Sequence, residues 1–147
     1  MTSSTAIEIL LVEDNPGDVR LIEEAFKEID IEVALQIAMD GVEALEVLAQ
    51  EEQTGTSAYP ELILLDLNLP KKDGYDVLRH IRNDPDLSHL PILVLTSSED
   101  EGDISKSYDL AANAYLTKPT DPAEFISLVQ SIERFWIQAV ELPPVPS

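Results

Sequence analysis

Apolar positions along the chain fall into two alternating kinds of cluster. Short runs rich in Ile, Leu and Val occupy Ile7–Val12, Val33–Ala38, Leu62–Leu65, Ile92–Leu95 and Ala114–Thr117, each four to six residues long. Continuous apolar runs of that length suit strands covered on both faces. Between them the apolar residues recur every three or four positions, which is the helical period. Val19, Ile22, Ala25, Phe26 and Ile29 follow the start signal Asn15-Pro16, and Val42, Leu45, Leu48 and Ala49 follow the Asp40-Gly41 turn. Val77, Leu78 and Ile81 predict a third helix, closed near Asp84-Pro85, and Ile104, Tyr108 and Ala111 a weakly patterned fourth. A fifth runs through Phe125, Leu128, Val129, Ile132, Phe135 and Trp136, opened by the cap signal Asp121-Pro122.

Five strands alternating with five helices through short loops predict an α/β fold. Right-handed crossovers then give a doubly wound, five-stranded parallel sheet with helices on both faces. Ligands of such sheets bind beyond the carboxyl ends of the strands, at the point where strand order reverses. The residues just past each run are therefore the ones to read. The first run ends in Glu13-Asp14, the third in Asp66, the fourth in Thr96-Ser97 and the fifth in Lys118.

Each of these has an ordinary structural explanation when taken alone, a helix cap, a turn or a strand end. Taken together they do not. Two carboxylates about 4 Å apart repel by roughly 4 kcal/mol at an effective dielectric near 20. A single Lys118 does not neutralise three of them, whereas a divalent cation would. Oxygen donors without His or Cys suit Mg²⁺, and a carboxylate beside Mg²⁺, a Lys and a hydroxyl has the parts for phosphoryl transfer onto that carboxylate.

Composition narrows the picture further. The 147 residues match one domain, and the absence of cysteine excludes disulfide scaffolds, thiolate metal sites and thiol catalysis. Nine basic against 29 acidic residues, a formal charge of −20, argues against binding nucleic acid or anionic membranes. That charge suits a well-solvated surface or carboxylates gathered around a metal, and composition does not separate the two. No apolar run is long enough to span a bilayer and no signal peptide pattern opens the chain, so a cytoplasmic location is expected.

Glu13-Asp14, Asp66-Leu67-Asn68-Leu69-Pro70, Gly74, Thr96-Ser97 and Tyr115-Leu116-Thr117-Lys118-Pro119 together resemble the receiver domain of two-component response regulators. The resemblance spans Glu8 to Ile132 and implies the flavodoxin-like form of the predicted fold. It implies that Asp66 is the phosphoacceptor, loaded from a phosphohistidine of a sensor histidine kinase. It further implies that Asp14 and Asp66 bind Mg²⁺ by side chain, Asn68 by its backbone carbonyl, and Glu13 directly or through water. Lys118 would pair with the phosphoryl group, across a Lys118–Pro119 bond expected to be cis. Thr96 and Tyr115 correspond to the family's coupled switch pair, and Asn68 and Ser98 to positions that tune loss of the phosphoryl group. A narrower likeness, in Asp66–Gly74 and in the ending from Phe135 to Pro143, is to stand-alone regulators of cyanobacterial phytochrome-type kinases, which dimerise through the fourth and fifth helices and last strand.

The expected organisation is thus a receiver over residues 1–136 and a C-terminal extension over 137–147, Pro-rich at its end. With some ten residues after the fifth helix, the signal is expected to leave through protein contacts with a downstream protein or phosphotransfer partner. Phe135, Trp136, Ile137 and Val140 exceed a single core stripe and mark a homodimer interface, with Trp136 folding back on its own domain as the alternative. The expected role is a phosphoacceptor signalling protein and not an enzyme, beyond self-catalysed phosphoryl transfer and autodephosphorylation. The acidic stretch Glu99–Asp103 reads as a solvated loop, and His80 and His89, away from the strand ends, carry no expected role. Two other readings compete: a dimeric scaffold or pseudo-receiver, which predicts a missing acid, Thr or Lys, and a small Mg-dependent phosphatase, which wants Asp-x-Asp on the first strand. A dinucleotide-binding domain is excluded, because Glu13–Asp18 lacks the glycine fingerprint.

Overall fold

The computed structural model describes residues 6–54 and 59–139. Strands β1 (Ile7–Val12), β2 (Val33–Ala38), β3 (Leu62–Leu65), β4 (Ile92–Thr96) and β5 (Ala114–Thr117) form one parallel sheet in the order β2-β1-β3-β4-β5. Helices α1 (Pro16–Phe26), α2 (Gly41–Thr54), α3 (Gly74–Asn83), α4 (Glu101–Asp109) and α5 (Pro122–Ile132) connect and cover it. Because strand side chains alternate, the core divides into two layers. Ile9, Leu11, Leu62, Leu64, Leu93 and Leu95 meet Ile22, Phe26, Phe125 and Val129 of α1 and α5. Leu10, Val12, Ile63, Leu65, Ile92 and Val94 meet Ala44, Leu48, Val77, Leu78 and Ile81 of α2 and α3.

Only the three central strands are buried on both faces, whereas β2 and β5 are half-exposed. The reason is positional. They are the sheet's edges, and one flank of each has no neighbouring strand. Helix α4 buries only Ser107, as its weak pattern suggested, but Ala111 lies outside it. Ala111 adopts φ 70° in the turn that ends the helix, and its carbonyl accepts from Arg82 Nε at 3.0 Å. Past Ile132 the last helix widens into a π-helical segment, Glu133–Ala139. There Phe135 is exposed, while Trp136 and Ile137 pack partly onto the α1/α5 layer. Trp136 therefore does partly fold back on its own domain; Val140 lies outside the described residues. No described helix is long and apolar enough to cross a membrane.

Candidate functional site

The sheet order reverses between β1 and β3, and the loops leaving those two strands carry the acids. Glu13 continues β1, its amide donating to the Ala38 carbonyl at 2.9 Å, and Asp66 continues β3, its amide donating to the Val12 carbonyl at 3.0 Å. Asn15 then starts α1 as its N-cap, accepting from the Asp18 amide at 3.1 Å, with Pro16 in the first helical positions. This turn sets Asp18 in the first turn of α1, on the same rim. The loop after Asp66 is pinned from two sides. A Cβ on Gly74 would stand 2.4 Å from the Asp66 carbonyl oxygen, and one on Gly41 would stand 2.0 Å from the Lys72 carbonyl oxygen, so neither position accepts a side chain. Lys71 within that loop takes φ 68° and reaches Asp40 at 3.5 Å.

Lys118 enters from the end of β5, its amide donating to the Thr96 carbonyl at 2.7 Å. Its Nζ lies 2.6 Å from Glu13 Oε1, 2.9 Å from Asp18 Oδ2 and 3.0 Å from Asp66 Oδ2. The structure thus brings together Glu13, Asp66, Thr96 and Lys118 as expected, with Asp14 beside them at the more open rim. Glu13, Asp14 and Asp66 each offer one oxygen, all within 4.8 Å of one another. Asn68 is tied to the same place by its amide, which donates to Asp66 Oδ1 at 3.2 Å. The Lys118–Pro119 bond, expected cis, is trans: no described peptide bond is cis. The trans form keeps its ordinary preference of about 0.5–1 kcal/mol, and Lys118 reaches all three acids without the other isomer.

Burial and ion pairing pull against each other in the site. Desolvation pushes the Glu13 carboxyl up to about 7, against the opposing pull of its Lys118 bond. Burial acts to lower Lys118, but its hydrogen bonds to Glu13 and Asp18 and the charges of Asp66 and Glu13 outweigh it and hold the ammonium above its ordinary range. With all four acids ionised, Glu13, Asp14, Asp18 and Asp66 carry −4 against the +1 of Lys118. A compact, oxygen-only donor set with excess negative charge fits a hard divalent cation such as Mg²⁺. Thr96 supplies a second unsatisfied group: it is fully buried, and its Oγ1 has no hydrogen-bond partner among the described residues.

The remaining expected residues sit one layer back. Tyr115 donates its hydroxyl to the Ser98 carbonyl at 2.9 Å, and the Ser98 hydroxyl donates to Asp103 Oδ2 at 2.6 Å. Tyr75 also donates to Asp103, which sits below its ordinary carboxyl range because of the Ser98 bond first and the Tyr75 bond second. The stretch Glu99–Asp103 is therefore not merely a solvated loop: Asp100 caps α4 and Asp103 joins α4 to α3 and to the Ser98 loop. Both histidines are exposed on α3 and the following loop. Asp18 had not been expected in the site. Its only sequence signal is an acid three residues after a helix cap, which capping alone explains.

A model of the response regulator receiver domain matches residues 9–130. The chain belongs to this receiver family. The receiver is 47% identical over 135 residues to "Response regulator Rcp1" of Synechocystis sp., covering 92% of each chain. The crystal structure of the Mn²⁺-bound form of Rcp1 superposes with a TM-score of 0.84, covering 92% of this receiver and 98% of that chain. The phosphorylated cyanobacterial phytochrome response regulator RcpA superposes with a TM-score of 0.88 at 44% identity, covering 95% and 99%. The receiver is thus a two-component signalling protein, with the flavodoxin-like sheet of its family.

Proposed function

We propose that this receiver accepts a phosphoryl group on Asp66 from a phosphohistidine of a sensor histidine kinase. The observation that carries the reading is the buried Asp66–Lys118 pair, set beside two further acids where the sheet order reverses. In the transfer, an Asp66 carboxylate oxygen forms the new P–O bond while the P–N bond breaks, its electron pair returning to the imidazole nitrogen. Water later cleaves the acyl phosphate, restoring the carboxylate and releasing phosphate. Asp14 and Asp66 would hold Mg²⁺ with the Asn68 carbonyl, and Glu13 directly or through water; the ion would supply positive charge against the negative charge of the transferred oxygens. Lys118 contacts the same oxygens, and the unpartnered Thr96 hydroxyl donates to one of them.

Phosphorylation raises the charge at Asp66 towards two negative units and adds acceptors. Drawing Thr96 towards them moves the segment carrying Ser98, the carbonyl partner of Tyr115, and so passes the change to α4 and β5. Asn68 and Ser98 tune how long the group survives. A switch from 1:99 to 99:1 takes about 5.5 kcal/mol, within reach of one hydroxyl–phosphoryl bond plus an ammonium contact. Identity of 44–47% to Rcp1 and RcpA over nearly their whole lengths supports a phytochrome-type kinase as donor. We place the receiver (residues 1–136, with an extension over 137–147) in the cytoplasm, where phosphodonor and Mg²⁺ are available. Output is through protein contacts, including a homodimer whose face includes the exposed Phe135 and the 200 Å³ groove between Leu116, Leu128, Ile132 and Trp136.

Incubation with Mg²⁺ and acetyl phosphate should give an acid-stable, base-labile adduct that Asp66→Asn abolishes. An adduct persisting in Asp66→Asn would overturn the assignment. Steady hydrolysis of small phosphomonoesters would favour the phosphatase reading instead.

A further inference from the structure

A lysine ammonium has three N–H donors, and here each has a carboxylate: Glu13, Asp18 and Asp66. Glu13 and Asp66 also belong to the trio of converging oxygens, together with Asp14; Asp18 does not. The distinction matters once positive charge enters the trio. A divalent cation drawn to Glu13 and Asp66 competes with the ammonium for their oxygens and repels it. Lys118 would then drift from Asp66 unless another anion retained it. Asp18 is placed to do so. It approaches from α1, a different element from the three acids, with its amide fixed by Asn15 Oδ1. Its side chain is 25% exposed, against 1% for Glu13 and 6% for Asp66, so it meets the ammonium from the open side.

We propose that Asp18 is the positioning residue of Lys118, keeping the ammonium aimed at Asp66 while Glu13 and Asp66 serve a divalent cation. The proposal rests on Asp66 being the phosphoacceptor. Lys118 stays protonated throughout, so Asp18 acts by charge and hydrogen bonding and takes no part in bond making.

The test is a double-mutant cycle on the full chain, with acetyl phosphate and saturating Mg²⁺, following adduct formation by intact mass. Asp18→Ala should slow transfer roughly tenfold, the loss of one charge-assisted bond. Asp18→Asn, which keeps the shape and loses the charge, should slow it comparably. In a Lys118→Ala background, Asp18→Ala should cost nothing further, because its effect runs through the ammonium. A merely structural role at the start of α1 predicts the same cost in both backgrounds together with a lower thermal midpoint. That pattern, or an Asp18→Ala variant at full rate, overturns the proposal. Failure of the wild type itself to form the adduct, or an adduct in Asp66→Asn, would instead bring down the phosphoacceptor reading and this proposal with it.

Discussion

Consider replacing Thr96 by Val. Thr96 is fully buried at the end of β4 and its hydroxyl finds no partner among the described residues. An unsatisfied buried hydroxyl costs about 1–3 kcal/mol. Val keeps the branched, χ1-restricted Cβ, exchanging that hydroxyl for a methyl group in an apolar strand. Thr96→Val should therefore stabilise the unphosphorylated protein, by about 1–2 kcal/mol. For a chain of this length each kcal/mol moves the thermal midpoint by roughly 2–4 °C, so an increase of about 2–8 °C is expected. Urea unfolding should show a higher midpoint at unchanged slope. The same variant should lose most of the stabilisation that a phosphoryl mimic such as beryllofluoride gives the wild type in Mg²⁺. An unchanged or lower midpoint would mean that the hydroxyl is paired before phosphorylation. Undiminished stabilisation by the mimic would mean that Thr96 donates nothing to the bound group.

Gly74→Ala would set a Cβ 2.4 Å from the Asp66 carbonyl oxygen and 2.6 Å from Leu67 Cα; urea unfolding should show a loss of about 1–3 kcal/mol, and a neutral result would refute the close approach. Glu13, raised by burial from 4.5 to about 7, binds its proton more tightly folded than unfolded. Its contribution is complete below pH 4.5 and is lost as pH rises to about 7, so the metal-free protein should destabilise over that interval more steeply than Glu13→Gln. Mg²⁺ requires the ionised acid, so its affinity should rise over the same range; thermal midpoints against pH, with chelator and with Mg²⁺, decide both, and matching wild-type and variant profiles would refute the shift. Sedimentation of Phe135→Ala and Trp136→Ala should show mass falling towards the monomer, and unchanged mass in both removes the proposed dimer.

The parts of the fold legible in the sequence are those dictated by burial period. The runs Leu62–Leu65 and Ile92–Leu95 are apolar throughout because two strands and two helix layers surround them. The same rule overreached at Val33–Ala38 and Ala114–Thr117, since apolar residues on an edge strand look identical until its neighbour is known to be missing. Strand-end chemistry was legible for a related reason: parallel topology sends every strand's last residue to one rim. What stayed hidden depends on elements meeting at a distance. Asp18 and Lys118 are a hundred positions apart, and no local pattern in α1 announces the ammonium arriving from β5. The Tyr75–Asp103–Ser98 tie likewise joins α3, α4 and the loop after β4, and Asp103 alone reads as one charge in an acidic stretch. The Lys118–Pro119 isomer turns on about 0.5–1 kcal/mol, too little for neighbouring residues to declare.

The site is unsatisfied in two opposite senses, and that opposition constrains how it works. Its four acids outweigh one ammonium, so it has an excess of negative charge; Thr96, close by, is a donor lacking an acceptor. A phosphoryl group supplies the missing acceptor but adds negative charge where there is already too much. A divalent cation offsets the charge but gives the Thr96 hydroxyl nothing to bind. Neither ligand alone satisfies both deficits: the cation removes the charge obstacle to the phosphoryl group, and the phosphoryl group adds negative charge that draws the cation. Their affinities must therefore be positively coupled, and the coupling is reciprocal. Under the proposed function, a movement of Thr96, and of the Ser98–Tyr115 contact behind it, would then belong to the doubly occupied site. The cation without the phosphoryl group would give Thr96 no reason to move, a difference that Thr96-sensitive spectra with Mg²⁺ alone and with Mg²⁺ plus beryllofluoride would test.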